Sequence, residues 1–200
     1  MIHVGESGFY DRVYADALSH DVVLVEGLNS PITERITRSY RWMAGASRLQ
    51  LIVQPQRDKL AHASKPVVLA DLSHEEFVVH WRKVPLWIRV MIYFVAPLLG
   101  IKRRLMVSRA ELAKGMSLDD LTSRNELLSW NAESGMVHHA ILDSRDARLV
   151  EKLDTLLSDN NYRRIAVVYG ARHMRAVLRH LVGKRQFQVR DMDWMTVFAL

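Results

Sequence analysis

Cysteine is absent from the 200 residues of this chain. Its absence excludes disulfide bonds, thiolate zinc sites and a cysteine nucleophile, and it leaves histidine, aspartate and glutamate as the only strong metal ligands. The sequence also lacks internal repeats, low-complexity linkers and the G-x-S-x-G elbow that presents a catalytic serine. Because 49% of the residues are hydrophobic, the length fits a single domain, residues 1–200, with a sizeable core.

No apolar, cleavable segment of the signal-peptide type follows Met1. The sequence therefore predicts a cytoplasmic or peripheral membrane protein. Residues 1–6, MIHVGE, are typical of the end of a strand, which suggests that the body of this strand lies upstream.

The net charge of +6 comes from one part of the chain. Arg82 to Lys114 contains eight basic residues against one acidic residue, Glu111, and it encloses the apolar segment 84–101. This segment is near the minimum length of a bilayer span, but it contains Arg89 and two prolines. Three alternatives stay open: a buried or homo-oligomer-contacting helix, a helix on an anionic membrane surface and, least favoured, a spanning helix. A nucleic-acid partner is not favoured, since no nucleic-acid-binding motif is present.

Three short β-branched runs predict buried strands that end at functional residue types. DVVLVEG ends on Glu26 and Gly27, KPVVLAD ends on Asp71, and RIAVVYG ends on Gly170, with His173 three residues later. Because ligands bind outside the carboxyl ends of strands in open α/β sheets, we expect Glu26, Asp71 and His173 to share one site. Gly170 is expected to permit a backbone turn that a residue with Cβ would resist.

Strands and helices alternate along the chain, which predicts an α/β fold with a mainly parallel central sheet flanked by helices. Ser73 and Glu76 form a predicted capping box at one helix start. Residues 82–116 form a predicted helical insertion in the middle of the chain, and helical spacing continues from Leu118 to Leu157. The last segment, residues 186–200, predicts one or two further strands at an antiparallel edge.

Four segments of the chain, taken in their order and spacing, resemble the TraB/PrgY and Tiki superfamily. Relatives of this superfamily include erythromycin esterase and the haem-binding ChaN proteins. The segments are HVGESGFYDRV (His3–Val13), DVVLVEG (Asp21–Gly27), ILDSRDARLVEKLDTLL (Ile141–Leu157) and VVYGARHMRAVLRHL (Val167–Leu181).

The family pattern contains two G-x-x-H motifs, a glutamate at the end of the second strand and an R-N/D pair. The glycine of the first motif would precede Met1. The matching residues are His3 for the first histidine, Glu26 for the glutamate, Gly170 and His173 for the second motif, and Arg145 with Asp146 for the pair.

Two imidazoles and a carboxylate can hold a divalent cation, which acidifies a bound water into a nucleophile near neutral pH. His3, Glu26 and His173 are the expected ligands of such a cation, for example Mn or Zn, and Glu26 is also a candidate catalytic residue. Glu6 or Asp71 is the expected general base. The resemblance implies hydrolysis of an amide or ester bond in a small-molecule or peptide substrate.

Other interpretations of the same residues stay open. Arg145 is a candidate anchor for a substrate or a carboxylate, but it can also pair with Glu151 or Asp146 on its own helix. Asp71 can cap the helix that begins at Ser73. The alternative function, from a different class, is a non-catalytic protein that binds a peptide signal or haem.

Overall fold

The computed structural model describes residues 3–119 and 137–200. Within them, the central sheet has three parallel strands in the order β4 (Val67–Leu69), β2 (Val22–Val25), β5 (Ile165–Val168). All four residues of β2 are buried, because this strand lies between its two neighbours and is covered on both faces. The mixed fold with a parallel sheet flanked by helices, which the alternating pattern predicts, is confirmed.

Helices cover both faces of this sheet. Away from the sheet, the helix Leu86–Met106 packs along the helix Pro31–Ala44. The short strands β1 (Val4–Gly5) and β3 (Ile52–Val53) pair antiparallel with each other, outside the central sheet. The α-helices of the described residues are α1 (Ser7–Leu18), α2 (Pro31–Ala44), α3 (Gln56–Leu60), α4 (His74–Arg82), α5 (Leu86–Met106), α6 (Arg109–Asp119), α7 (Ser144–Leu157) and α8 (Met174–Leu178).

Alternate residues of β2 face different helices, as the two-residue repeat of a strand requires. Val23 and Val25 pack on α1, where Tyr10 and Tyr14 are buried. Val22 and Leu24 pack with residues of α7 and α8, among them Leu149, Leu153 and Val177. The sheet is therefore held between α1 on one face and α7 with α8 on the other.

The helix starts follow local capping chemistry. Ser30 Oγ accepts a hydrogen bond from the Ile32 N–H at the start of α2. The predicted capping box of α4 is confirmed, with the Glu76 N–H donating to Ser73 Oγ and the Ser73 N–H donating to Glu76 Oε2. Since Ser73 caps α4, the interpretation of Asp71 as the cap is wrong.

The prediction of terminal strands in residues 186–200 is wrong. This segment contains no strand and no helix. Beside β1 it accepts one backbone hydrogen bond, from the Glu6 N–H to the Val197 carbonyl. A strand needs a free edge to pair along, and β1 is only two residues long.

The apolar segment 84–101 lies mostly in α5, which packs along α2. Within residues 3–119 and 137–200, no single helix is long and apolar enough to cross a membrane; α4 and α5 taken together meet that criterion, but they are bent by 114°. The predicted helical stretch from Leu118 to Leu157 is helical at residues 118–119, the end of α6, and at residues 137–157; residues 120–136 lie outside the described part of the chain.

Candidate functional site

Residues from the ends of all three parallel strands meet at one edge of the central sheet. Glu26 directly follows β2, Asp71 follows β4 by two residues, and Gly170 follows β5 by two. His173 ends a short 3-10 turn, Ala171–His173, after Gly170. Parallel pairing places these strand ends side by side, so the shared edge follows from the topology.

Arg145, near the start of α7, joins the carboxylates of two strand ends. Its Nε and Nη2 donate to the two oxygens of Asp71 at 2.9 and 2.7 Å, and Nη2 also donates to Glu26 Oε1 at 2.5 Å. The interpretation that Arg145 pairs with Glu151 or Asp146 on its own helix is wrong, because Arg145 pairs with Asp71 and Glu26. Glu151 pairs with Arg148, and Asp146 lies against His173. A fork of guanidinium donors matched to a carboxylate is a strong, directional contact.

Asp71 is saturated by these contacts. Besides the two bonds from Arg145, Oδ1 accepts from the Leu72 N–H at 2.9 Å and Oδ2 accepts from the Gly27 N–H at 3.2 Å. Burial raises the pKa of Asp71, but the Arg145 contacts and the two backbone donors outweigh it and hold the pKa below its ordinary value. With about four acceptor positions on a carboxylate all occupied, Asp71 fixes Arg145 in place.

Glu26 is ionised and only partly enclosed. Its Oε2 accepts a hydrogen bond from the Gly170 N–H at 2.8 Å, and the side chain is 17% exposed. Burial raises its pKa, whereas the positive charge of Arg145, together with His173 and His3, lowers it by more, so the net shift is downward. A carboxylate in this state is available as a ligand or as a proton acceptor.

His173 is held by an aspartate of α7. Its Nδ1 lies 2.6 Å from Asp146 Oδ1, and the edge of its ring meets the Tyr169 ring at 4.8 Å between centroids. In the neutral ring, an ionised Asp146 accepts from Nδ1–H, which leaves the lone pair on Nε2. This orientation by a carboxylate is the usual support of a metal-binding or proton-accepting histidine.

Gly170 provides space between Glu26 and His173. A Cβ at this position would lie 3.0 Å from Glu26 Oε2 and 3.2 Å from His173 Cδ2. Its φ of −53° is open to any residue, so the expectation that glycine is needed for the backbone turn is wrong. A methyl group at this position would be tightly packed, because the carboxylate and the imidazole approach the backbone from two sides.

His3 directly precedes β1, and its ring lies 5.2 Å from the Tyr40 ring of α2. It lies close enough to Glu26, Arg145 and His173 to interact with them electrostatically. Burial lowers its pKa below the ordinary value of 6.5, although the charge of Glu26 partly offsets this. His3 is therefore mainly neutral at pH 7, which is the form that binds metal ions.

Glu6 lies apart from the other candidates. Its Oε1 accepts hydrogen bonds from Arg109 Nη1 at 2.8 Å and from the Ala199 N–H at 3.3 Å. These contacts tie the start of α1 to α6 and to the end of the chain. The structure thus brings Arg145 into contact with Glu26 and Asp71 and places His173 beside Glu26. His3 lies near this group, and Glu6 lies apart from it.

Sequence reasoning missed the partner of His173. In the sequence, Asp146 is marked only as the second residue of the R-D pair. That pair is the signal that could have revealed its role, because two neighbouring residues of a helix can contact residues at two different strand ends. Gln56 of α3 was missed entirely; its side-chain amide donates to the Glu26 carbonyl, and no pattern in the sequence marks it.

No three His, Asp or Glu side chains among the described residues are arranged to hold one metal ion. The chain matches no protein-family model, and no curated protein or solved structure is significantly similar to it. The resemblance to the TraB/PrgY and Tiki superfamily stays a prediction.

Proposed function

We propose that this protein is a metal-dependent hydrolase that cleaves an amide or ester bond in a small-molecule or peptide substrate. The observation that carries the proposal is the His173 and Asp146 pair beside the ionised carboxylate of Glu26. In metalloenzymes, a histidine ligand typically donates its other ring N–H to a carboxylate, and His173 Nδ1 lies 2.6 Å from Asp146 Oδ1.

The donor chemistry fits a divalent cation such as Mn or Zn. His3 is mainly neutral at pH 7 and Glu26 is ionised, which are the states that a metal requires. In a neutral His173, a hydrogen bond from Nδ1–H to Asp146 leaves the lone pair on Nε2 for a metal. Because no trio of described ligands is close enough for one ion, the proposal requires the His3 side chain to approach the other two on binding.

The residues around the proposed cation position have different roles in the proposed reaction. A bound cation would supply a water of lowered pKa. With Asp71 saturated and Glu6 paired elsewhere, Glu26 is the carboxylate that accepts a proton from the attacking water. Arg145 has one terminal nitrogen, Nη1, without a hydrogen bond to any described residue, and we assign it to the carbonyl oxygen of the substrate, where negative charge develops.

We also assign the chain to the TraB/PrgY and Tiki superfamily as a single domain, residues 1–200, in which residues 82–116 are a helical insertion. The order of the motifs supports the assignment. So does the packing of α5, which lies along α2 and not on the central sheet.

The test measures bound metal and hydrolysis in the same preparation. Chromogenic esters and fluorogenic peptides are assayed with chelator and with added Mn or Zn, and we expect hydrolysis only with metal. His173→Gln should abolish it, whereas His180→Gln should not, since His180 is also a buried histidine paired with an aspartate but lies outside the site. Haem absorbance without hydrolysis would favour the binding alternative; neither metal nor haem binding would refute both.

A further inference from the structure

One whole side of the helix α5 has no packing partner among residues 3–119 and 137–200. Its inner side packs on α2 and α4 through Ile88, Ile92 and Tyr93. Its outer side exposes eleven large hydrophobic side chains, which we call the α5 outer face: Leu86, Trp87, Val90, Met91, Phe94, Val95, Leu98, Leu99, Ile101, Leu105 and Met106.

This face is too large to be incidental. Single exposed hydrophobic residues are common on proteins, but a continuous apolar surface along a helix of 21 residues marks an interaction surface. Phe94 is 71% exposed and Leu98 is 65% exposed, so the centre of the face is as open as its ends. Because an exposed apolar surface of this size is unfavourable in water, we expect an apolar partner to cover it.

The residues around the face are positively charged, which favours an anionic partner. Residues 77–110 contain no aspartate or glutamate. Exposed cationic side chains lie at both ends of the face, Arg82 and Lys83 before it and Lys102 and Arg104 at its far end. None of these four forms an ion pair with another residue in the part of the chain that the structure describes.

A groove between α2 and α5 adds further positive charge beside the face. It has a volume of about 310 Å³ and is lined by Arg35, Arg38 and Trp42 of α2 and by Tyr93 and Pro97 of α5. Both arginines are exposed. Two guanidinium groups that line the same groove suit a phosphate group, which arginine binds through paired donors.

We propose that the α5 outer face lies on the surface of an anionic membrane, with α5 parallel to the bilayer and lipid phosphates in the groove. Tryptophan, phenylalanine and leucine on one side of a helix, bordered by lysine and arginine, are typical of helices that lie in the membrane interface. A second copy of this chain fits less well, because a two-fold interface would bring the same basic residues together.

The test is sedimentation of the full-length protein with two kinds of vesicle: phosphatidylcholine alone, and phosphatidylcholine mixed with phosphatidylglycerol. We expect binding only to the mixed vesicles, weakening with added salt because exposed charges are screened over about 8 Å at physiological ionic strength. Phe94→Ser should lower the partition coefficient by about tenfold or more. Arg38→Gln should lower it about fivefold, as one interfacial cation is worth about 1 kcal/mol.

Two matched variants control for loss of structure. Phe187→Ser and Arg190→Gln remove an exposed aromatic and an exposed cation from the carboxyl-terminal segment, and both should leave vesicle binding unchanged. Absence of binding to the mixed vesicles would overturn the proposal. So would equal binding to both vesicles, or a dimer in light scattering that Phe94→Ser dissociates.

Discussion

Two buried histidines, seven positions apart, are each held by an aspartate of α7, yet their surroundings differ. His173 Nδ1 lies 2.6 Å from Asp146, and His180 Nε2 lies 2.7 Å from Asp154. Their exposed fractions are 3% and 8%. By burial and by hydrogen bond, the two pairs look alike.

The difference lies in what surrounds each pair. Asp154 also binds Arg185 at 2.7 Å, so the carboxylate of the second pair is shared with a half-exposed arginine. The first pair stands beside the ionised Glu26 and the cation of Arg145, at the meeting point of three strand ends. A buried His–Asp pair therefore does not by itself indicate a functional site. The charged groups beside the pair are what distinguish His173 from His180.

Removing the arginine of each region should give the largest contrast. Arg145→Met leaves Glu26 and Asp71 enclosed without their cation, and we expect the free energy of unfolding to fall by about 3–5 kcal/mol. Arg185→Met removes a half-exposed partner of Asp154 and should cost less than about 1 kcal/mol. Urea denaturation followed by circular dichroism measures both, and equal losses would erase the distinction between the regions.

Removing the aspartates should separate the pairs by metal binding. If His173 is a ligand, Asp146→Ala should weaken Mn or Zn binding by about 10–100-fold, since it removes the carboxylate that orients the ring. Asp154→Ala should leave the affinity unchanged. Titration calorimetry gives both constants, and a similar loss in the two variants would mean that the effect is on folding and not on the site.

A glycine beside each pair offers a smaller, steric test. In Gly170→Ala the new methyl would press on Glu26 and His173, and we expect a loss of about 1–3 kcal/mol in stability together with weaker metal binding. Gly183, in the helical turn after His180, has open space where a methyl group would lie, so Gly183→Ala should be neutral or stabilise by up to about 1 kcal/mol. Thermal unfolding of both variants checks this order.

Acid should weaken the site region in two steps, the smallest effect that we expect. The pKa of His3 is lowered in the folded protein, so below pH 6.5 the unfolded chain takes up a proton that the folded chain does not, and stability falls with falling pH. The depressed pKa values of Glu26 and Asp71 give a second loss below about pH 4. Burial also lowers the pKa of His80, so His80 contributes to the first step. His3→Gln should therefore make the first step smaller and keep the second in pH-dependent denaturation; a first step of unchanged size would exclude His3 as a cause.

The convergence of Glu26, Asp71 and His173 was predictable because it needs only strand ends and parallel pairing, and both are local or topological properties. The partners of Arg145 were not predictable, because the sequence also offers two acidic residues on its own helix, Asp146 and Glu151, as partners. A π-helical turn, His139–Asp143, directly precedes α7, and such turns change the direction in which the following side chains point. That shift has no clear mark in the sequence.

In the terminal segment, the residue types predicted a strand that the structure does not contain. Residues 186–200 carry residue types that suit strands, but a strand forms only where a neighbouring edge is free, and this depends on the rest of the fold. For α5, the sequence leaves three environments open. The structure narrows them by showing one side packed on α2 and the other exposed, which composition alone cannot distinguish.

The ion cluster of Arg145 also bears on the order of folding. It joins residues 119 and 74 positions apart, and the Gly170 bond to Glu26 spans 144 positions. Contacts across such long loops form late, because the entropy of closing the loop is lost before the contact is gained. Until α7 docks, Glu26 and Asp71 have no cation. We therefore expect low φ-values at Arg145, with its replacement accelerating unfolding and leaving the folding rate nearly unchanged.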